Sequence, residues 1–489
     1  MKSLPHWARR ALIGSLSACI LTAGVCAKAS GQPANWADAP GRMTDQEIVA
    51  DLGSNLDKLT AEDRFSGAVL LAKQDQVLFE HAYGYADHAF NAPNRVDTKF
   101  NIASMGKMFT GVSILQLAQA GKLSLDDKLV KDLPDYPNKE VAEKVTIREL
   151  LTHTSGLGDF FGPEFMDSSM AKYDTLESLL PLFVNQPLRF EPGTNWSYSN
   201  AGYIVLGLVI QYVAGESYYD YVQGHIFKPA DMGNTGNWPA DADIPNRALG
   251  YTRIGQAASA TRKINVFSLP RGSSAGGGYS TVEDMLHFAE ALQSGKLLNK
   301  QYTEMALTAT VATPIPGSKY GFGMGESRVN GVRIVGHNGG APGVQGVLDI
   351  YPDLGYVVVI LANYDDAMTS VDERLRYELT GQCLPEAAAI PPETLITYAG
   401  KYAPVLPAGM KMRGAPPSIT VTVSGDGLDV DPGIGAVLHF LPRSAEEFYE
   451  SDSPGQKIRF IRDAKGQVTS LETPTGFGPV PPITATKMP

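Results

Sequence analysis

Ser104 and Lys107 lie three residues apart in "NIASMGKMFTGVSILQLAQAG". A serine hydroxyl attacks a carbonyl only when a neighbour takes its proton. An amine one helical turn away is within reach of it. Met105, Met108, Val112 and Leu115 give the expected helix an inward face, and Gly121 ends it. Asn101 is a candidate N-cap, and a serine in the first turn sits where the helix dipole favours developing negative charge. The same pair could equally be helix decoration. Ser169 and Lys172 repeat the spacing in "SSMAKY", inside a polar, poorly periodic stretch, so context has to decide.

Two further segments carry polar groups beside apolar elements. In "EPGTNWSYSNAGYIVLGLVIQYVAG", Pro192-Gly193 sets a turn and Tyr198-Ser199-Asn200 follows. A nearly all-apolar helix, which should be buried, begins near Ala201. Asn200 is either its N-cap or a site residue, and Tyr198 either a packed aromatic or a proton carrier. A second Tyr-x-Asn, Tyr136 to Asn138, lies in a loop with no such helix behind it. In "RIVGHNGGAPGVQG", His337-Asn338-Gly339-Gly340 closes a strand. Glycines there allow close backbone approach by a ligand, or simply mark a bulge with a surface histidine.

The elements that must bring these segments together are legible in outline. "FSGAVLLAKQDQVLFEHAYGYAD" is a hairpin around Gln74-Asp75, and Asn330-Gly331 turns a second. "VQGVLDIYPDLGYVVVILAN" gives two strands around Pro352 to Gly355, and "SVDERLRYELTG" an amphipathic helix. Strands at both ends and helices between them predict an α+β fold. Its mainly antiparallel sheet is built from both ends of the first 380 residues and covered by helices. "LPEAAAIPPE" at 384–393 reads as a linker, and short alternating strands in 394–489 predict a small all-β barrel or sandwich. There is no internal repeat.

Of the 489 residues, 43% are hydrophobic and 19% charged, which is a globular composition. A net charge of -11 speaks against a nucleic-acid partner. Lys2, Arg9 and Arg10 precede an apolar run and then "AKAS", so residues 1–29 read as a signal peptide. The expected location is therefore periplasmic or secreted. "LSAC" at Leu16 to Cys19 resembles a lipoprotein box, although the apolar run continues past Cys19; membrane association would be through that lipid only. Cys19 and Cys26 fall in the signal, which leaves Cys383 alone and the mature chain without an internal disulfide.

Ser-x-x-Lys, then Tyr-x-Asn, then a cationic residue-x-Gly, in that order, resembles the serine β-lactamase and penicillin-binding-protein group. The branch it is most similar to is that of class C β-lactamases and D-Ala-D-Ala carboxypeptidases (peptidase family S12). "TIRELLTHTSGL", "GGGYSTVEDMLHFAEAL" and "YGFGM" share that family's texture, and the likeness runs from roughly residue 45 to 380. It implies a β-lactamase/transpeptidase-like domain over 30–383 that hydrolyses amides or esters through an acyl-enzyme. Ser104 would be the nucleophile, and Lys107 and Tyr198 would share its proton. Asn200 would bind Lys107 and the substrate amide. The N–H groups of Ser104 and Gly340, beside Gly339, would hold the oxyanion. No cofactor or metal is implied, and the partner is a small-molecule or peptide substrate. The tail resembles a lipocalin-like domain.

His337 departs from the lysine that true β-lactamases place there, and resembles the esterases and D-amino-acid peptidases of the family. An imidazole is largely neutral at pH 7, so it would clamp a substrate carboxylate weakly; it would orient Tyr198 or meet the polar end of the substrate. A penicillin-binding-like sensor that acylates without turnover is the non-enzymatic alternative.

Other motifs lead elsewhere. Gly272-x-Ser274-x-Gly276 is formally a nucleophile elbow, but an Asp and a His should follow it and a His-Gly-Gly loop precede it, whereas "HNGG" comes after. "GLGDFFG" is a near-miss for a dinucleotide loop that lacks the strand in front. No His, Cys and carboxylate cluster has metal-ligand spacing. His153 in "THTSG" reads as a structural hydrogen-bonder rather than a base.

Overall fold

The structure, a computed structural model, describes residues 42–239, 242–253, 260–265, 271–382, 385–405, 418–433, 437–474 and 483–489. Residues 1–29, read from the sequence as a signal peptide and containing Cys19 and Cys26, lie outside the described residues, as does Cys383.

Helix α1 (Asp45–Ala61) opens the chain on a capping box between Thr44 and Glu47. Strands β1 (Gly67–Lys73) and β2 (Gln76–Tyr83) form the first hairpin, with Gln74 in the left-handed conformation that turns it. The helical region follows, dominated by α2 (Lys107–Gln119), α3 (Asn200–Ala214) and α4 (Val282–Gln293). The chain then returns to the sheet through β3 (Val311–Ala312), β4 (Lys319–Tyr320), β5 (Gly325–Val329), β6 (Val332–Ala341), β7 (Val344–Tyr351) and β8 (Tyr356–Ala362). Helix α5 (Met368–Leu379) ends this part.

Among the described residues these strands form one eight-stranded sheet in the order β2-β1-β8-β7-β6-β5-β4-β3. Every pairing is antiparallel, and β1 from one end of the domain lies beside β8 from the other. Both faces are covered, which is why β1 and β8 are apolar at almost every position. Val69, Leu71, Val358 and Ile360 face Ile48, Leu52 and Leu56 of α1 and Val371 and Leu375 of α5. Ala68, Leu70, Val357 and Val359 face the core that α2, α3 and α4 fill. Helix α2 is central to that core and buried from Lys107 to Leu115, so it is apolar all round apart from the lysine and small polar residues.

A short helix, α6 (Pro392–Tyr398), begins within the segment read as a linker. Beyond it β9 (Gly400–Val405), β10 (Ile419–Ser424), β11 (Gly427–Asp431), β12 (Leu438–Pro442), β13 (Glu447–Glu450), β14 (Lys457–Arg462), β15 (Val468–Thr473) and β16 (Ile483–Lys487) close in sequence into a barrel. Its interior is filled by Tyr402, Val421, Phe440, Phe448, Phe460 and Leu471, among others. The barrel is docked to the first part by charges. Lys58 Nζ lies 2.9 Å from Asp452, Arg64 pairs with the same carboxylate, and Ser453 Oγ donates to Glu373 at 2.6 Å.

Candidate active site

Ser104 occupies a 3₁₀ turn, Ala103–Gly106, that runs directly into α2. Asn101 does not cap α2 itself; its side chain accepts the Ala103 N–H at 2.9 Å, at the start of the tighter turn. Ala103 is held at φ 42°, a conformation that L residues rarely adopt. The loop "RGSSAGGG" imposes it. Gly277 N–H donates to Ala103 O at 2.8 Å, and a Cβ on Gly276 would lie 2.9 Å from Ser104 Cα. The formal elbow serine, Ser274, is therefore not a nucleophile: it is buried behind α2, where its carbonyl accepts the Thr110 hydroxyl at 2.7 Å.

Lys107 is fully buried. Its Nζ lies 3.1 Å from Ser104 Oγ and 2.7 Å from Asn200 Oδ1, and also bonds Ala275 O. Burial pushes its pKa down to about 7, against the pull of the Asp159 carboxylate. A neutral amine has two N–H donors, which the two carbonyl oxygens take. Its lone pair is then left for the Ser104 hydroxyl.

Tyr198 completes the group. Lys107 Nζ stands 4.8 Å from its ring centroid, and the Ser104 hydroxyl is near enough to its phenol to favour the phenolate. Burial outweighs that effect and pushes the phenol well above its ordinary pKa, so it keeps its proton.

Asn200 is the first residue of α3 rather than its cap; Ser199 caps the helix by accepting the Gly202 N–H at 2.9 Å. That leaves the Asn200 amide free to face Lys107, and Asp159 fixes which way it points by accepting Nδ2–H at 2.8 Å. Asp159 comes from "GLGDFFG", the segment resembling a nucleotide loop. Nothing in its spacing marks it, because the partner lies 41 residues away.

His337 is buried, and both its nitrogens are taken. Nδ1–H donates to Asn338 O, and the Tyr320 hydroxyl donates to Nε2 at 2.9 Å. Burial and the nearby Lys107 push its pKa down to about 3. The partly charged clamp expected at this position is thus a neutral residue; its ring lies 6.4 Å from that of Tyr198.

The glycines that follow have different surroundings. A Cβ on Gly339 would collide with Ile102 O and sit 3.1 Å from Ser104 N, so this strand position lies against the backbone of Ser104. Nothing lies within 4 Å of a Cβ built on Gly340, which is exposed and leaves space for a ligand.

The decoys fall elsewhere. Ser169 precedes a separate 3₁₀ turn, Met170–Lys172, and Asn138 caps Lys139–Lys144 by accepting the Val141 N–H at 3.2 Å. Among the described residues no group of three or more His, Cys, Asp or Glu could hold a metal ion.

Residues 52–381 match the family model described as Beta-lactamase. A penicillin-binding protein of Bacillus subtilis is 30% identical over 328 residues, covering 63% of this chain and 70% of that protein. The solved penicillin binding protein from Bacillus halodurans is 35% identical with a TM-score of 0.59, over 65% of this chain and 98% of that one. The D-amino acid amidase from Ochrobactrum anthropi SV3, solved with L-phenylalanine, is 27% identical with a TM-score of 0.54, over 65% and 91%.

Proposed function

The chain belongs to the beta-lactamase family, and from that premise we propose that it is an exported serine hydrolase cleaving amides or esters that carry no carboxylate beside the scissile bond. The observation that carries the chemistry is Lys107, buried and held by two carbonyl oxygens with Ser104 at 3.1 Å. In the proposed sequence Lys107 takes the Ser104 proton as Oγ bonds to the substrate carbonyl carbon. The oxyanion is held by the N–H groups of Ser104 and Gly340; losing one such donor typically costs ~100- to 1000-fold in rate. Tyr198 gives its proton to the departing nitrogen or oxygen and is reprotonated from Lys107. Water then attacks the acyl-Ser104 ester by the reverse relay, releasing the acid and restoring the serine. Lys107 and Tyr198 act as one coupled proton holder.

The substrate preference rests on His337. A neutral imidazole with both nitrogens engaged offers a carboxylate no charge. The amidase relative, solved with L-phenylalanine, supports an amide of an amino acid as the reference substrate. Export is supported by the charged, apolar and small-residue pattern of residues 1–29.

The test compares turnover of a D-amino-acid amide, a short-chain ester, a penicillin and a D-Ala-D-Ala peptide. The proposal requires the first two to be the better substrates. A clear preference for the carboxylate-bearing pair overturns the substrate reading. Stoichiometric acylation of Ser104 without turnover of any of the four would favour a sensor. Sequencing of the N-terminus from the extracytoplasmic fraction should begin near Ser30.

A further inference from the structure

Resting on that reading, we infer that His153 is a positioning residue for Tyr198, fixing the phenol where it can protonate the leaving group. His153 is a fully buried non-glycine residue at φ 61°. It holds the tyrosine's segment from both sides. Its backbone carbonyl accepts the Ser197 N–H at 3.0 Å, and its ring Nδ1 accepts the Ser199 N–H at 3.1 Å. The residues on either side of Tyr198, Ser197 and Ser199, thus both hang by their N–H groups from one residue. The left-handed backbone at His153 is what turns carbonyl and ring toward the same strand of chain.

An Nδ1 that accepts requires the proton on Nε2. Nε2 has no hydrogen-bond partner among the described residues. The imidazole is packed among aromatic rings, with centroids at 4.3 Å (Tyr198), 4.5 Å (Tyr320), 5.1 Å (Tyr203) and 5.9 Å (Trp196). Burial, with Lys107 and His337 nearby, keeps the ring neutral, as acceptance from Ser199 demands. Ser199 in turn donates its hydroxyl to Gly158 O at 2.7 Å while capping α3, so the stretch is anchored beyond Tyr198 as well.

The consequence depends on the leaving group. An amine cannot depart from the tetrahedral intermediate unprotonated, whereas a nitrophenolate is stable as an anion and leaves without help. Misplacement of a proton donor by about 1 Å costs on the order of 100-fold where that proton is needed. Loss of the Nδ1 acceptor should therefore separate the two kinds of substrate, which a general loosening of the fold would not do.

The experiment measures kcat and KM of the full chain on an amino-acid amide, and the pre-steady-state burst of 4-nitrophenolate from a 4-nitrophenyl ester, which reads acylation alone, for wild type, His153→Ala and His153→Asn. Asparagine tolerates the left-handed backbone, and its Oδ1 reproduces the position of Nδ1. The expected result for His153→Ala is a fall of at least about 30-fold in kcat on the amide and of under about 3-fold in the burst rate on the ester, with recovery of most of the loss in His153→Asn. Equal losses on both substrates, no loss on the amide, or no advantage of Asn over Ala would each overturn the inference. If His153→Ala does not fold, His153→Gln, whose amide reaches the Nε2 position instead, takes its place under the same criteria. A wild-type protein that cleaves neither substrate refutes the hydrolase reading itself; the comparison among variants bears only on His153.

Discussion

Asp159→Asn should move the acid limb of the pH–rate profile toward lower pH. Lys107 must be neutral to accept the Ser104 proton. With its pKa near 7, kcat/KM should fall tenfold per pH unit below that value. The Asp159 carboxylate stabilises the ammonium form through the Asn200 amide, which lies 2.7 Å from Nζ and 2.8 Å from Asp159 Oδ2. Those two bonds and the amide between them put the charges about 6 Å apart. Asp159 is half-buried. At an effective dielectric of about 40, between the protein-surface and bulk-water values, the attraction is roughly 1.4 kcal/mol, or about one pH unit. Asparagine keeps an oxygen to accept from Asn200 but removes the charge, so the limb should move to about pH 6. At pH 6 the neutral fraction of Lys107 then rises from about a tenth to about half. The assay is initial rates on an uncharged ester from pH 5 to 9 at fixed ionic strength, each profile scaled to its own plateau. A limb that stays near 7, or moves upward, would refute the electrostatic link between Asp159 and the base.

Ser104→Ala and Lys107→Ala should each abolish nearly as much activity as the double change, because a catalytic unit fails as a whole; additive losses in kcat would separate the two residues. Gly339→Ala forces a methyl against Ile102 O and Ser104 N. It should cost roughly 1–3 kcal/mol of stability in urea unfolding and lower kcat by about 100-fold, since the strand or the nucleophile must move. Glu450 is buried at the barrel junction, 3.6 Å from Arg64, with neither carboxylate oxygen hydrogen-bonded among the described residues. Burial, reinforced by Asp452, raises its pKa to about 8. The folded state thus retains a proton that the unfolded chain loses from pH ~4.5 upward, and stability drains away as pH climbs toward 8. Glu450→Gln, which cannot ionise, should be close to neutral at pH 4.5 and stabilising by roughly 2–4 kcal/mol above pH 8. An equal effect at both pH values would contradict the assignment.

The sheet and the three motifs were legible because local signals agreed with the fold. The Gln74 and Asn330-Gly331 turns are where left-handed residues predict them. The apolar runs in β1, β7 and β8 reflect burial on both faces. The chain order of Ser104, Tyr198 and His337 carried the resemblance, which no single motif could. What remained hidden depends on tertiary partners. Ser199 and Asn200 are both good caps by type, and only the reach of Lys107 decides that Asn200 points inward. Ser280 and Thr281 are likewise both caps by type, and α4 uses Thr281, which accepts the Asp284 N–H at 3.2 Å, while the Ser280 hydroxyl is engaged with Thr235 at 2.7 Å. Asp159, and the role of Ala275 O as a partner of Lys107, come from loops with no periodicity to read. The neutrality of His337 follows from Tyr320, an aromatic on a two-residue strand whose sequence gives no sign of it.

The proposed mechanism stands on one event, the acylation of a single serine whose proton a buried neutral amine takes. Intact-mass and peptide-level mass spectrometry of the full chain treated with a fluorophosphonate tests it directly. One adduct per chain is expected, carried by the peptide containing Ser104, absent in Ser104→Ala and formed far more slowly in Lys107→Ala. An adduct on another residue, or one that survives in Ser104→Ala, would contradict it.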